Sequence, residues 1–306
     1  MKKIKEYIWI LLLVLFIIFW WYFLYQNINI IERLKNLKIE TILLVSILTI
    51  FSLYINWLFL YLLWKPFNIE IKEYFLLSNT ASFLNLVTPF RGWAWFRAWF
   101  MKKKYKLDYS HFASSLFWNY VVVFFVSSLL AILNFIYLYY KFWIFNILVF
   151  WIFVVLFIIF ALIFFLWWKF YFKKENKITW KVNKVLKWWE LISKDKILVL
   201  KLCLLQIINI FIGVFILCFL FSDIWLNIEF SKVFYISIIS ILSVFINITP
   251  WSIWITEWLY VLSSSIVLVT PATMLLIALL KRWLEIIVLF SLWIVSKYLL
   301  LKNMKK

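Results

Sequence analysis

Residues 247–258 read NITPWSIWITEW, and the way the chain passes through this stretch decides the fold. It lies inside an apolar run of about 232–269. Pro250 removes a backbone donor and pushes the residue before it out of the helical region, so a helix entering here breaks. Residues 85–93, NLVTPFRGW, repeat the pattern inside a second apolar run of about 74–101. Both stretches read Asn, one or two apolar residues, Thr-Pro, three residues, Trp. A helix that breaks midway through an apolar run can turn back to the side it entered. The two runs therefore predict two re-entrant hairpins.

The rest of the chain gives these hairpins their setting. It has 306 residues, 67% of them hydrophobic, and a mean hydropathy of +1.01. Soluble domains are nearer half apolar, and runs of 18 or more apolar residues imply membrane spans. Full spans are expected at about 7–25, 40–64, 110–140, 142–168, 197–221 and 272–300. The expected fold class is thus an all-α polytopic membrane protein with about six full transmembrane helices and two broken re-entrant hairpins. The start, MKKIKE before an apolar stretch, resembles a secretory signal; its apolar part is too long and has no small-residue cleavage site, so a retained first span is expected.

Charge assigns the sides. The formal net charge is +19, and the basic residues lie between apolar spans, where they set topology and attract anionic phospholipid head groups rather than nucleic acid. With a cytoplasmic N-terminus and hairpins that return to their own side, the inner segments carry Lys65, Lys72, the 102–106 cluster and nine lysines between 169 and 196. The outer segments then hold Arg33, Lys35, Lys38, Lys141 and Lys232. The positive-inside rule favours this arrangement, with both termini cytoplasmic in a multi-pass cell-membrane protein. It divides the single membrane domain, 1–306, into a first repeat unit at 40–140, a basic loop at 169–196 and a second, inverted unit at 197–300. Inverted repeats of this kind bring interrupted helices together near the bilayer midplane. In the loop, Lys181, Lys184 and Lys187 recur at helical spacing with Trp180, Val185, Leu186 and Trp189 on another face. It reads either as a helix lying on the inner membrane surface or as a solvated topogenic loop.

Several chemistries are unsupported. Cys203 and Cys218 stand about 22 Å apart on a helix, beyond disulfide reach. His111 is the one histidine and has no partners of ligand spacing, so no metal site is expected. No phosphate-binding loop is present, no cofactor is expected, and His111 is read as an interfacial residue.

Tryptophan and glycine frequencies look exchanged, at 22 and 2 residues. An aromatic belt accounts for Trp20, Trp21, Trp64, Trp143, Trp167 and Trp168 near span ends. It does not account for Trp93, Trp95 and Trp99, or for Trp251, Trp254 and Trp258, which follow the prolines where tight turns call for glycine. Some bacteria read UGA as glycine, and translating their genes with UGA as tryptophan would produce this exchange. The hairpin tips would then read TPFRGGAGFR and TPGSIGITEG.

With that exchange in mind, the chain resembles the transmembrane, flippase-type region of lysylphosphatidylglycerol synthases, a family that also has stand-alone members. The likeness rests on Thr88-Pro89-Phe90-Arg91-Gly92 through Arg97 with the basic MKKKYKLDYSHF after it, and on Pro250 to Glu257 followed by Arg282 in ALLKRWLEIIV. It covers roughly 40–300, and the tryptophans at glycine positions are its departures. No aminoacyl-transfer domain follows in this sequence, so the resemblance implies lipid handling or translocation without lysine transfer.

Charged groups inside apolar spans are costly and start as functional candidates. These are Arg91 and Arg97 in the first unit and Glu257, Lys281, Arg282 and Glu285 in the second. Arg91 and Arg97 follow a helix break, where free N–H groups and guanidinium together can hold a lipid phosphate; both can equally be interfacial. Glu257 is expected to pair with a base across the repeat or to contact a lipid amine. Arg282 and Glu285, three apart, share a face and can neutralise each other. Asn85, Thr88, Pro89, Asn247, Thr249 and Pro250 form the breaks, their polar side chains satisfying freed carbonyls. The leading expectation is a lipid translocase. The rivals are an intramembrane lipid- or glycolipid-modifying transferase using Glu257 as base, and a membrane partner of a separately encoded transferase; a homodimer is also open.

Overall fold

The computed structural model describes residues 37–67, 69–87, 93–166, 176–224, 226–244 and 255–304. The expected first span at 7–25 and the hairpin-break residues Thr88, Pro89, Arg91, Asn247, Thr249 and Pro250 lie outside these residues, as do Trp251 and Trp254.

The described elements are helical. In chain order they are α1 (Ile39–Trp64), α2 (Ile71–Val87), α3 (Trp93–Tyr105), α4 (Tyr109–Phe142), α5 (Ile147–Leu166), α6 (Lys177–Lys194), α7 (Lys196–Asp223), α8 (Phe230–Ile241), α9 (Ile255–Leu262), α10 (Ser264–Val267) and α11 (Pro271–Met304). Four of them, α1, α4, α5 and α7, are long and apolar enough to cross a membrane. At 26 residues α1 extends about 39 Å, and α5, at 20 residues, extends about 30 Å, the thickness of the hydrocarbon core. The expectation of an all-α polytopic membrane protein is met. Helix α11 is as long as α4, but Lys281, Arg282 and Glu285 interrupt its apolar surface. It opens on Pro271, whose missing N–H costs nothing in a first turn, and Thr270 Oγ1 accepts the Thr273 N–H at 3.3 Å.

Contacts at the helix ends show which termini share a side. The Lys38 N–H donates to the Asp223 carboxylate at 2.8 Å, and Lys141 pairs with Glu229. At the opposite, lysine-rich end His111 sits between Phe67 and Trp188, with ring centroids at 4.6 and 4.3 Å, and Lys184 pairs with Asp108 at 2.6 Å. Glu73, near the start of the first broken stretch, takes contacts from Lys104 and Tyr105 at its end. Burial and this acceptor raise the Tyr105 phenol above its ordinary value. The stretch therefore begins and ends on one side, as a re-entrant hairpin must. In the second unit, Asn134 donates to the Ser231 carbonyl at 3.1 Å, so α8 starts beside the latter part of α4 and runs inward.

The packing has an internal correspondence. Matching α1 with α7, α2 with α8, α3 with α9 and α4 with α11 exchanges the contacts: α2 against α11 becomes α8 against α4, and α1 against α4 becomes α7 against α11. Likewise α1 with α2 maps to α7 with α8, and α1 with α11 to α7 with α4. The α1–α7 contact maps onto itself and marks the centre.

Helix α5 is apolar all round, packs mainly on α4, and leaves most of its surface exposed, which fits a lipid-facing position. Helix α6 is an amphipathic helix, as the lysine spacing allows. Its apolar face goes into protein, with Leu186, Trp189 and Ile192 buried against the bundle. The Trp189 ring stacks on Trp118 at 4.2 Å, and the Trp118 indole N–H reaches the Trp189 carbonyl at 3.3 Å. Trp180 remains exposed.

Helix α4 ends at Trp143, whose backbone is left-handed with φ 58°. The Trp143 N–H bonds the Tyr139 carbonyl at 3.0 Å, the capping bond of the αL motif that favours glycine at its donor, and the Ile144 N–H bonds the Leu138 carbonyl at 3.4 Å. The Trp143 side chain is 80% exposed, and its edge contact with the Tyr139 ring at 5.7 Å offsets little of this conformation. Trp143→Gly should therefore raise stability by about 1 kcal/mol, read as an upward shift of the thermal midpoint in detergent.

Candidate functional site

A polar cavity of about 330 Å³ lies among α1, α4, α7, α8 and α11. Helix α1 contributes Ser52 and Asn56, and α4 contributes Asn119 and Tyr120. From α7 come Gln206, Asn209 and Gly213, from α8 Ser237 and Ser240, and from α11 Lys281 and Glu285. These residues fall well inside the apolar spans, so the cavity is at membrane depth. Polar groups there persist where they line a cavity or find partners.

Ser52 Oγ donates to Asn209 Oδ1 at 2.7 Å across the central α1–α7 contact. Asn56 Nδ2 donates to the Ser52 carbonyl at 3.0 Å, one turn back on its own helix. Lys281 Nζ and Glu285 Oε1 lie 3.2 Å apart, one turn apart on α11, and balance each other's charge. Gly213 lets α7 approach α8: a Cβ there would stand 3.1 Å from Ser237 Oγ. Ser52→Ala should cost about 0.6–1.7 kcal/mol, the range of hydrogen bonds between membrane helices. A double-mutant cycle with Asn209→Ala, read by thermal unfolding in detergent, checks that coupling.

Beside the cavity, Arg282 Nε meets Glu257 Oε1 at 2.8 Å, with the carboxylate almost wholly buried. This links the short helix α9 to α11 within the second unit. Glu285, one turn along, pairs with Lys281, and Arg282 turns to Glu257. Arg97 is elsewhere, on α3, its guanidinium 5.8 Å from the Trp64 ring and 5.6 Å from that of Phe112. It is held by aromatic faces at the lysine-rich end and does not join the Glu257–Arg282 pair. Asn85 lies in the last turn of α2. Trp93 and Trp95 open α3; Trp99 is exposed beneath Lys103, and Trp258 is exposed on α9.

Reasoning from charged residues finds Lys281, Arg282, Glu257 and Glu285 but misses the amides and hydroxyls. Their signal is present in the sequence: Ser52 and Asn56, Gln206, Asn209 and Gly213, and Ser237 and Ser240 each recur at helical spacing inside apolar helices.

Residues 8–292 match the family described as "Lysylphosphatidylglycerol synthase TM region". No curated protein and no solved structure matches the chain.

Proposed function

Because the chain belongs to the lysylphosphatidylglycerol synthase TM region family, we propose that it moves a lipid between leaflets, with the cavity between its two units receiving the head group. The observation that carries this reading is a polar, charge-balanced chamber of about 330 Å³ at membrane depth, bounded by helices of both units. A lipid crossing the bilayer must bring its head group through hydrocarbon, and a chamber of amides and hydroxyls replaces the water it leaves behind. The exchange of packing contacts between the units supports alternating exposure of such a chamber to the two sides. The lysine-rich end faces the cytoplasm on this reading, by the positive-inside rule. Arg97 and the adjacent lysines gather anionic head groups there.

The alternative of an intramembrane transferase is less well supported. Glu257, its base, already gives an oxygen to Arg282. The test is leaflet equilibration of labelled lipids in vesicles containing the purified protein: faster exchange than in protein-free vesicles supports translocation, and unchanged rates across several head groups contradict it.

We also propose that Trp143 and the tryptophans after the two prolines are glycine in the native protein, while Trp64, Trp118 and Trp189, which fill the core, are genuine. Peptide masses of protein from its own host decide this: glycine at 143 with tryptophan at 118 and 189 is expected, and tryptophan at all three contradicts it.

A further inference from the structure

We propose that the head group taken by the cavity is an uncharged polyhydroxyl group, glycerol or a single sugar carried on a lipid, rather than a phosphate or an amine. This rests on the translocation reading above and narrows its substrate.

The lining is matched to hydroxyls. Carboxamides both donate and accept, as a polyol requires, and four of them, Asn56, Asn119, Gln206 and Asn209, converge on the space. Two have unused capacity. Among the described residues, no hydrogen-bond partner is found for the Asn119 or Gln206 side chain, although Gln206 is only 6% exposed. Both amides open onto the cavity, where a bound hydroxyl would find a donor and an acceptor. The Asn209 amide has its oxygen engaged by Ser52, which leaves its N–H groups to donate into the space.

Charge argues in the same direction. Among the described residues that line the cavity, the two ionic groups, Lys281 and Glu285, form a pair and are engaged with each other. A phosphodiester entering it would have to break that pair or remain unbalanced in a low-dielectric setting. Among the described residues, other cations suited to anions lie elsewhere: Arg97 is over the Trp64 and Phe112 rings, and the 102–106 lysines are at the membrane end. Size is compatible, since about 330 Å³ is at the lower end of small-ligand sites.

The experiment follows acyl-labelled monoglucosyl-diacylglycerol, phosphatidylglycerol and phosphatidylcholine between leaflets of vesicles containing the full chain. Expected is a glucosyl-lipid rate at least ~10-fold above that of either phospholipid, the ratio given by about 1.4 kcal/mol of barrier difference. Gln206→Leu should bring the glucosyl-lipid rate down to the phospholipid rate. Should that variant fail to fold, Asn119→Leu, at a less buried position, carries the same expectation. Phospholipid rates equal to or above the glucosyl-lipid rate overturn this inference while leaving translocation standing. A glucosyl-lipid rate unaltered in both folded variants overturns the assignment to this cavity. No acceleration of any of the three lipids overturns the translocation reading, and this inference with it.

Discussion

Glu257→Gln should destabilise the protein by about 3–5 kcal/mol, because it leaves the Arg282 guanidinium without its counter-ion in a buried setting. The Glu257 carboxylate is almost wholly buried and the Arg282 side chain is 16% exposed, so water screens the pair little. The link also has a local role. Helix α9 has eight residues, too few to be stable alone, and its buried contacts with the bundle are led by Glu257 and Tyr260. Without the ion pair, α9 loses a buried polar attachment to α11. The double variant Glu257→Gln/Arg282→Gln removes both charges and should recover much of the loss. Thermal unfolding in detergent measures all three proteins. A single-variant cost below about 1 kcal/mol, the value of an exposed pair, would contradict the buried-pair account.

Trp189→Ala should cost about 3–5 kcal/mol, as expected for a fully buried aromatic removed from a packed core. Its ring is 0% exposed and stacks on Trp118, itself 0% exposed. The pair joins α6 to α4, so the loss should also release α6 from the bundle. Two measurements check this: a lowered thermal midpoint, and faster proteolysis within 176–195. Trp180→Ala is the control, since Trp180 is half exposed and its loss should stay within ±0.5 kcal/mol. Equal effects at the two positions would mean that α6 does not pack as described.

Much of this architecture was legible because membranes simplify the reading. Apolar runs of span length located the long helices, and the two Thr-Pro stretches fall between α2 and α3 and between α8 and α9. The face that α6 buries was not legible. Amphipathic spacing shows that one face is apolar, but Leu186 and Trp189 would suit lipid as well as Trp118. Pairing within the ion group was hidden for a related reason. Arg282 has Glu285 one turn away and Glu257 distant in sequence, and only the approach of α9 to α11 selects between them. The cavity was hardest to read. Asn119 and Gln206 are single uncharged residues in long apolar runs, and their convergence depends on how five helices cross. Trp143 was assigned to an aromatic belt by its place near a span end, while its left-handed backbone becomes visible only in the structure.

The central claim is that lipid passes by way of the chamber between the two units. It is tested most directly by comparing leaflet equilibration of the acyl-labelled glucosyl lipid in vesicles with the unaltered protein and with Gly213→Leu, which places a side chain between α7 and α8 inside the chamber. The expected result is a rate at least ~10-fold above protein-free vesicles for the unaltered protein, equivalent to about 1.4 kcal/mol off the barrier, and a return to the protein-free rate for folded Gly213→Leu. A folded Gly213→Leu protein that moves the lipid as fast as the unaltered one would contradict it.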